Sequence, residues 1–206
     1  MIVSDLYAEL ALHVHDVAYA EITAAQWVTF IASASRDARN KGWYVRLDDD
    51  ESLTIADNDF DYDVPGSFAR IGAIYQGESI DGATVYLRRV PDAHWVIRYD
   101  GASPVPVLHF HTLSSLESGA ALKITGQRRP TIYTTGGQTI DAGMESFLRE
   151  RAKYYALQFL AAGRSEYATW RQQMALLALQ ESEKFFKAHP AEFRAEPGSI
   201  LVKGRE

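Results

Sequence analysis

No cysteine occurs anywhere in the chain. Its absence excludes disulfides, thiolate catalysis, zinc ribbons and thiolate-bound iron–sulfur clusters. Long apolar runs are missing as well, and none approaches the roughly 18 residues that a membrane span requires. The first residues, Met1-Ile2-Val3-Ser4-Asp5, lack the basic region and apolar stretch of a signal peptide. The expectation is therefore a mature N-terminus and synthesis in the cytoplasm, with no membrane involvement. An excess of positive charge is also lacking: the formal net charge is −6, which argues against non-specific nucleic-acid binding as the main activity. Neither an internal repeat nor a low-complexity tract is present. What remains is an ordinary globular composition, 206 residues with 47% hydrophobic and 23% charged side chains. That is enough for one elaborated domain, or two small ones, with a buried core.

The charge is unevenly spread. Residues 1–122 carry 8 Lys/Arg against 18 Asp/Glu, whereas residues 123–206 carry 13 against 9. An acidic front and a basic back suit polar head-to-tail contacts between copies, or two different partners; scatter over solvated surfaces is the plainer alternative.

Hydrophobic periodicity divides the chain. Val3, Leu6, Tyr7, Leu10, Val14 and Val17 share one helical face, with Ser4 or Asp5 as a possible N-cap. Thr23-Ala24-Ala25-Gln26 has the form of a capping box ahead of a second helix with Trp27, Phe30, Ile31 and Ala34 inward, and Gly42 ends it. From 43 to 134 the period becomes two. Phe60, Tyr62 and Val64 alternate with Asp59, Asp61 and Asp63, and further short runs are separated by turn residues such as Pro65-Gly66, Asp81-Gly82 and Ser118-Gly119. The helical period returns with Met144, Phe147, Leu148, Ala152, Tyr155 and Phe159, and again with Tyr167, Trp170, Met174, Leu177, Ala178 and Phe185, before His189-Pro190. The expected fold is α+β: a four-helix bundle (1–42 and 135–190) with an antiparallel β-sheet or sandwich domain (43–134) inserted between helices two and three, plus an extended C-terminal tail (191–206). Trp27, Phe30, Phe147, Tyr155, Trp170 and Leu177 are expected to be mostly buried.

Chemistry-bearing motifs are few. Asp48-Asp49-Asp50-Glu51 and Asp57-Asn58-Asp59-Phe60-Asp61-Tyr62-Asp63 are rich in oxygen ligands, but an EF-hand counted from Asp57 would need Gly and Glu where Tyr62 and Phe68 stand. A solvated strand face or an inter-subunit contact fits better. His109 and His111 share one face of a strand and would need a third ligand, with His94 the nearest imidazole, for a metal-dependent hydrolase; His13 and His15 on a helix point apart. There is no Gly-x-Ser-x-Gly or His-Glu-x-x-His motif. Thr134-Thr135-Gly136-Gly137-Gln138-Thr139 lacks the lysine and spacing of a phosphate loop and reads as a flexible turn. No catalytic residue, cofactor or metal is assigned. Trp95, Tyr99, Tyr86 and Tyr133 leave open a carbohydrate- or ligand-binding β module. Arg128-Arg129-Pro130 could reach an anion on a neighbour. The tail, with Phe193, Arg194, Ile200, Leu201, Val202, Lys203 and Arg205, would gain burial on a partner's groove or sheet edge, or by folding back on its own bundle.

The element order, together with Tyr62-Asp63-Val64-Pro65, Ala69–Tyr75, Trp95–Tyr99, Leu122-Lys123-Ile124-Thr125-Gly126-Gln127-Arg128-Arg129-Pro130 and Pro197-Gly198-Ser199-Ile200, resembles the head–tail adaptor (connector) proteins of tailed bacteriophages. The resemblance implies a non-enzymatic virion protein at the neck, a cyclic homo-oligomeric ring (a dodecamer in the usual case) docked under the portal protein. It also implies a downstream neck or tail protein as partner, and DNA passing through the lumen without sequence-specific binding. It would give portal docking to the tail, Phe193 to Arg205. Asp57, Asp59, Asp61, Asp63, Arg128 and Arg129 are the candidates from the residues for inter-subunit or lumen contacts. The acidity of 48–63 departs from what the resemblance leads one to expect.

Overall fold

A computed structural model describes residues 1–14, 21–65, 68–98, 106–113, 116–162, 167–188 and 200–201. The chain forms two compact units, one of residues 1–43 and 130–190, the other of 44–129 and 191–206.

The first unit holds four helices: α1 (Val3–His13), α2 (Ala24–Asn40), α3 (Glu145–Ala162) and α4 (Ala168–Ala188). The start of α2 is fixed by reciprocal bonds: the Gln26 amide donates to Thr23 Oγ1 at 3.3 Å, and the Thr23 amide donates to Gln26 Oε1 at 2.8 Å. Gly42, at φ +80°, ends it in the left-handed conformation that glycine adopts without penalty. Leu6, Leu10, Trp27, Ile31, Phe147 and Leu148 are fully buried and build the core. The segment 134–140 is anchored rather than flexible. Gln138 Oε1 accepts from the amides of Thr134 and Thr135, and the carbonyls of Gly136 and Gln138 accept from Ser4 and Val3 at the start of α1.

The four helices do not form the expected bundle. In α4 the buried positions are Ala175, Ala178 and Ser182, small residues that face α3, where Ala152 and Ala156 are buried. Trp170 (45% exposed) and Leu177 (52% exposed), expected inside, point to solvent, as do Tyr167 and Phe185. Phe30 and Tyr155 are half-buried, whereas Trp27 and Phe147 are fully buried. The reason is volume. Small side chains let α4 approach α3 closely, so the large apolar stripe is rotated off the contact instead of filling a shared four-helix core.

The second unit contains two antiparallel sheets. One has the order β1 (Val45–Thr54), β7 (Ala121–Arg128), β3 (Arg70–Ile80), β4 (Ala83–Arg89); the other has the order β2 (Asp61–Asp63), β6 (Val107–Phe110), β5 (Trp95–Arg98). Ile71, Ile74, Leu122 and Ile124 of the first sheet and Tyr62, Trp95, Leu108 and Phe110 of the second belong to one apolar cluster. Asp81 and Gly82, both at positive φ, turn the β3–β4 hairpin with the handedness its twist requires.

The tail also departs from expectation. Ile200 and Leu201 form an eighth strand, β8, whose partners on β3 are Ile71 and Arg70. The end of the chain thus contributes to the sheet unit, because an apolar pair gains backbone partners at the stretch of β3 beyond its pairing with β4.

Gly126 shows how tightly β7 and β3 are matched. It faces a register shift between Ile71 and Ala73, and an added Cβ would lie 2.1 Å from the Arg70 carbonyl oxygen. Gly126→Ala is expected to destabilise the chain by about 1–3 kcal/mol. Gly137→Ala, with nothing within 4 Å of its Cβ, is expected to be neutral or slightly stabilising. Urea unfolding of the two variants checks the contrast.

Candidate interaction surfaces

The acidic segment becomes a turn and an edge strand. Tyr62 places its hydroxyl in the turn, where it accepts from the Ala56 amide at 2.9 Å and donates to the Asp59 carbonyl at 3.1 Å. Asp59 Oδ1 accepts from the Asp61 amide, and Asp61 Oδ1 lies 2.7 Å from His109 Nδ1. Asp57, Asp59, Asp61 and Asp63 are all exposed. The rings of His109 and His111 are 5.3 Å apart, and the His111 amide donates to the His94 carbonyl. Among the described residues, no group of three or more His, Asp or Glu side chains is placed to hold a metal ion.

Of the aromatic residues considered for ligand stacking, Trp95 and Tyr133 are buried, with the Tyr133 hydroxyl accepting from the Asp141 amide at 2.8 Å. Tyr86 lies across Gly77, whose missing side chain makes room for the ring, and donates to Glu51 Oε2 at 3.0 Å with Lys123 Nζ 5.6 Å from its centroid. Tyr99 lies outside the described residues. Arg128 and Arg129 stand at the end of β7, the first half-buried and donating to the Arg129 carbonyl, the second exposed. Of the tail residues, Ile200 and Leu201 are in β8; Phe193, Arg194, Val202, Lys203 and Arg205 lie outside the described residues.

Two features escape a reading of motifs. The first is the outer face of α4, where Tyr167, Trp170, Leu177 and Phe185 are exposed within a narrow arc of the helix. Beside its start a cavity of about 460 Å³ is lined by Val14, Tyr167, Trp170 and Arg171. The Arg171 guanidinium is held by Glu21 at 2.9 Å and by the Leu160 carbonyl at 3.3 Å. The surface is thus mainly apolar, with its cation already engaged. A helix stripe of this size exposed to water is the kind of patch that marks an association surface. Its signal was present in the sequence as more large apolar residues than one packing face needs.

The second feature is a charged cluster linking α2, α3 and α4. Arg151 Nε lies 2.6 Å from Asp37 Oδ2, and its Nη1 lies 3.2 Å from Glu183 Oε1. Lys41 Nζ approaches the Glu183 carboxylate at 2.7 Å, and the Tyr155 hydroxyl donates to Asp37 Oδ2 at 2.6 Å. Burial disfavours the Arg151 cation, but the hydrogen bond and charge of Asp37 more than offset it. Burial raises the Tyr155 pKa, the hydrogen bond to the Asp37 carboxylate and its charge add to the effect, and Arg151 opposes it; the result is about 12 against an ordinary 10.0. No short spacing announces this cluster, since Asp37 and Arg151 are 114 residues apart.

No protein-family model matches the chain, and no curated protein matches it.

Because the folded chain holds the Tyr155 proton more tightly than the unfolded chain does, its contribution to stability is complete below pH 10. That contribution is lost as the pH climbs from 10 toward 12. The ultraviolet titration difference between the wild type and Tyr155→Phe should therefore show one phenol ionising near 12, and Asp37→Asn should move that step down. A difference titrating at 10 would contradict the assignment.

Proposed function

We propose that this chain is a structural virion protein, a head–tail adaptor that assembles as a ring at the portal of a tailed phage and continues the DNA channel toward the tail. The observation that carries the reading is the outer face of α4. A chain that leaves Tyr167, Trp170, Leu177 and Phe185 in water gains by burying them against a different surface of a neighbouring subunit. The net charge of −6 suits a channel protein that lets DNA pass without gripping it, since like charges repel the phosphates.

Assembly is tested by native mass measurement of the protein alone and mixed with portal rings. Rings or portal-bound rings are expected. A chain that stays monomeric at high concentration and ignores the portal would overturn the reading. Trp170→Glu and Leu177→Glu should lower the assembled fraction sharply while changing the stability of the monomer by less than about 1 kcal/mol, as for exposed positions. If the variants melt like the wild type and still assemble, α4 is not the contact.

A further inference from the structure

The larger sheet ends in two unlike edges, and their charges oppose one another. One edge is β4, paired only with β3 among the described residues, with Arg88 and Arg89 exposed and Leu87 70% exposed. Arg89 also meets Asp92 at 3.0 Å. The other edge is β1, paired only with β7 among the described residues, and its sequence runs Arg46-Leu47-Asp48-Asp49-Asp50-Glu51. Asp50 accepts from the Ser52 amide, and Glu51 is engaged by Tyr86 and lies 3.6 Å from Lys123.

We infer that β4 of one copy joins β1 of the next, so that the sheet continues from subunit to subunit; the inference rests on the ring assembly proposed above. Three observations support it. Among the described residues β4 and β1 each have a neighbouring strand on one side only, and joining them gives each strand a second. Charge selects the pairing: β4 against β4 would oppose arginines, β1 against β1 would oppose carboxylates, and only β4 against β1 brings cations to acids. Such a contact uses different surfaces on the two copies, and is therefore the kind that propagates head to tail and closes into a ring. The partner assigned to each edge is thus a second copy of this chain.

The absence of cysteine makes the test direct, because the introduced thiols are the only ones this chain contributes. Ser52→Cys chains and Leu87→Cys chains, mixed with portal rings and treated with a flexible bis-maleimide, should give a 52–87 cross-linked dimer. A chain carrying both substitutions should give a ladder. Separately, Arg88→Glu with Arg89→Glu should reduce the assembled fraction by about tenfold or more, and adding Asp50→Lys to the same chain should restore part of it, since the reversed edges again attract. Rings that form without the cross-link and ignore the reversals would overturn the edge pairing while leaving the adaptor reading intact. Failure of the cysteine chains and the wild type to assemble under any condition, with or without portal, would overturn both. If a charge variant failed to fold, the cross-link, which leaves the charges intact, decides alone.

Discussion

The Arg151 guanidinium is where three helices of the first unit are held together. A cation that is nearly out of solvent must keep its carboxylate partners, and Asp37 from α2 and Glu183 from α4 supply them while Arg151 itself stands on α3. Sliding α4 by one turn or rotating it on its axis would take Glu183 away from both Arg151 and Lys41. The cluster therefore fixes which face of α4 meets α3. That in turn fixes Ala175, Ala178 and Ser182 inward and the large aromatic and aliphatic side chains outward. Ring contacts of Phe186 with Trp43 and Phe147 reinforce the same register near the end of the helix. The exposed stripe on α4 is thus a consequence of polar geometry as much as of hydrophobic pattern.

In the sheet unit the governing constraint is close approach. Gly126 and Gly77 each stand where a side chain would collide, the first with the backbone of β3 and the second with Tyr86 and Thr84. Removing Cβ at these two points lets β7 press against β3 and lets the Tyr86 ring cross the sheet to reach Glu51. The hydroxyl of Tyr62 performs a related service at the turn after β1, satisfying backbone groups that lie between two strands belonging to different sheets.

Much of the local structure was legible in the residues. Thr23 and Gln26 announced a capping box because reciprocal bonds need that spacing, and Asp81-Gly82 announced a turn, which the structure forms with both residues at positive φ. The alternation around Tyr62 marked a strand with one wet face, as observed. The arrangement of the helices was not legible. Tyr167, Trp170, Met174 and Leu177 make an apolar stripe, but so do Ala175, Ala178 and Ser182 beside it, and periodicity cannot say which stripe packs. Volume complementarity with Ala152 and Ala156 decides it, and the charged cluster confirms the choice through residues far apart in sequence. The strand made by Ile200 and Leu201 was not legible for a similar reason. Ile200 and Leu201 showed a need for burial, but nothing in their composition pointed to Arg70 and Ile71 as the strand they join. The surfaces offered for a neighbour by motif, Asp57 to Asp63 and Arg128-Arg129, belong to the sheet unit, whereas α4 belongs to the helical unit and carried no motif at all.

The interleaving of the two units along the chain carries a consequence for synthesis. All seven strands up to β7 have been synthesised once residue 129 is made, whereas α1 and α2 lack α3 and α4 until residue 190. At ordinary elongation rates the interval is on the order of seconds, long compared with hairpin formation. The sheets can therefore close on themselves while the first two helices still wait with an uncovered apolar face. β8 is made after α4 and pairs with β3, a strand synthesised long before it. A nascent chain in which α1 and α2 are completed late depends on both staying out of the forming sheet core, and the capping box of α2 favours its helical state during the delay.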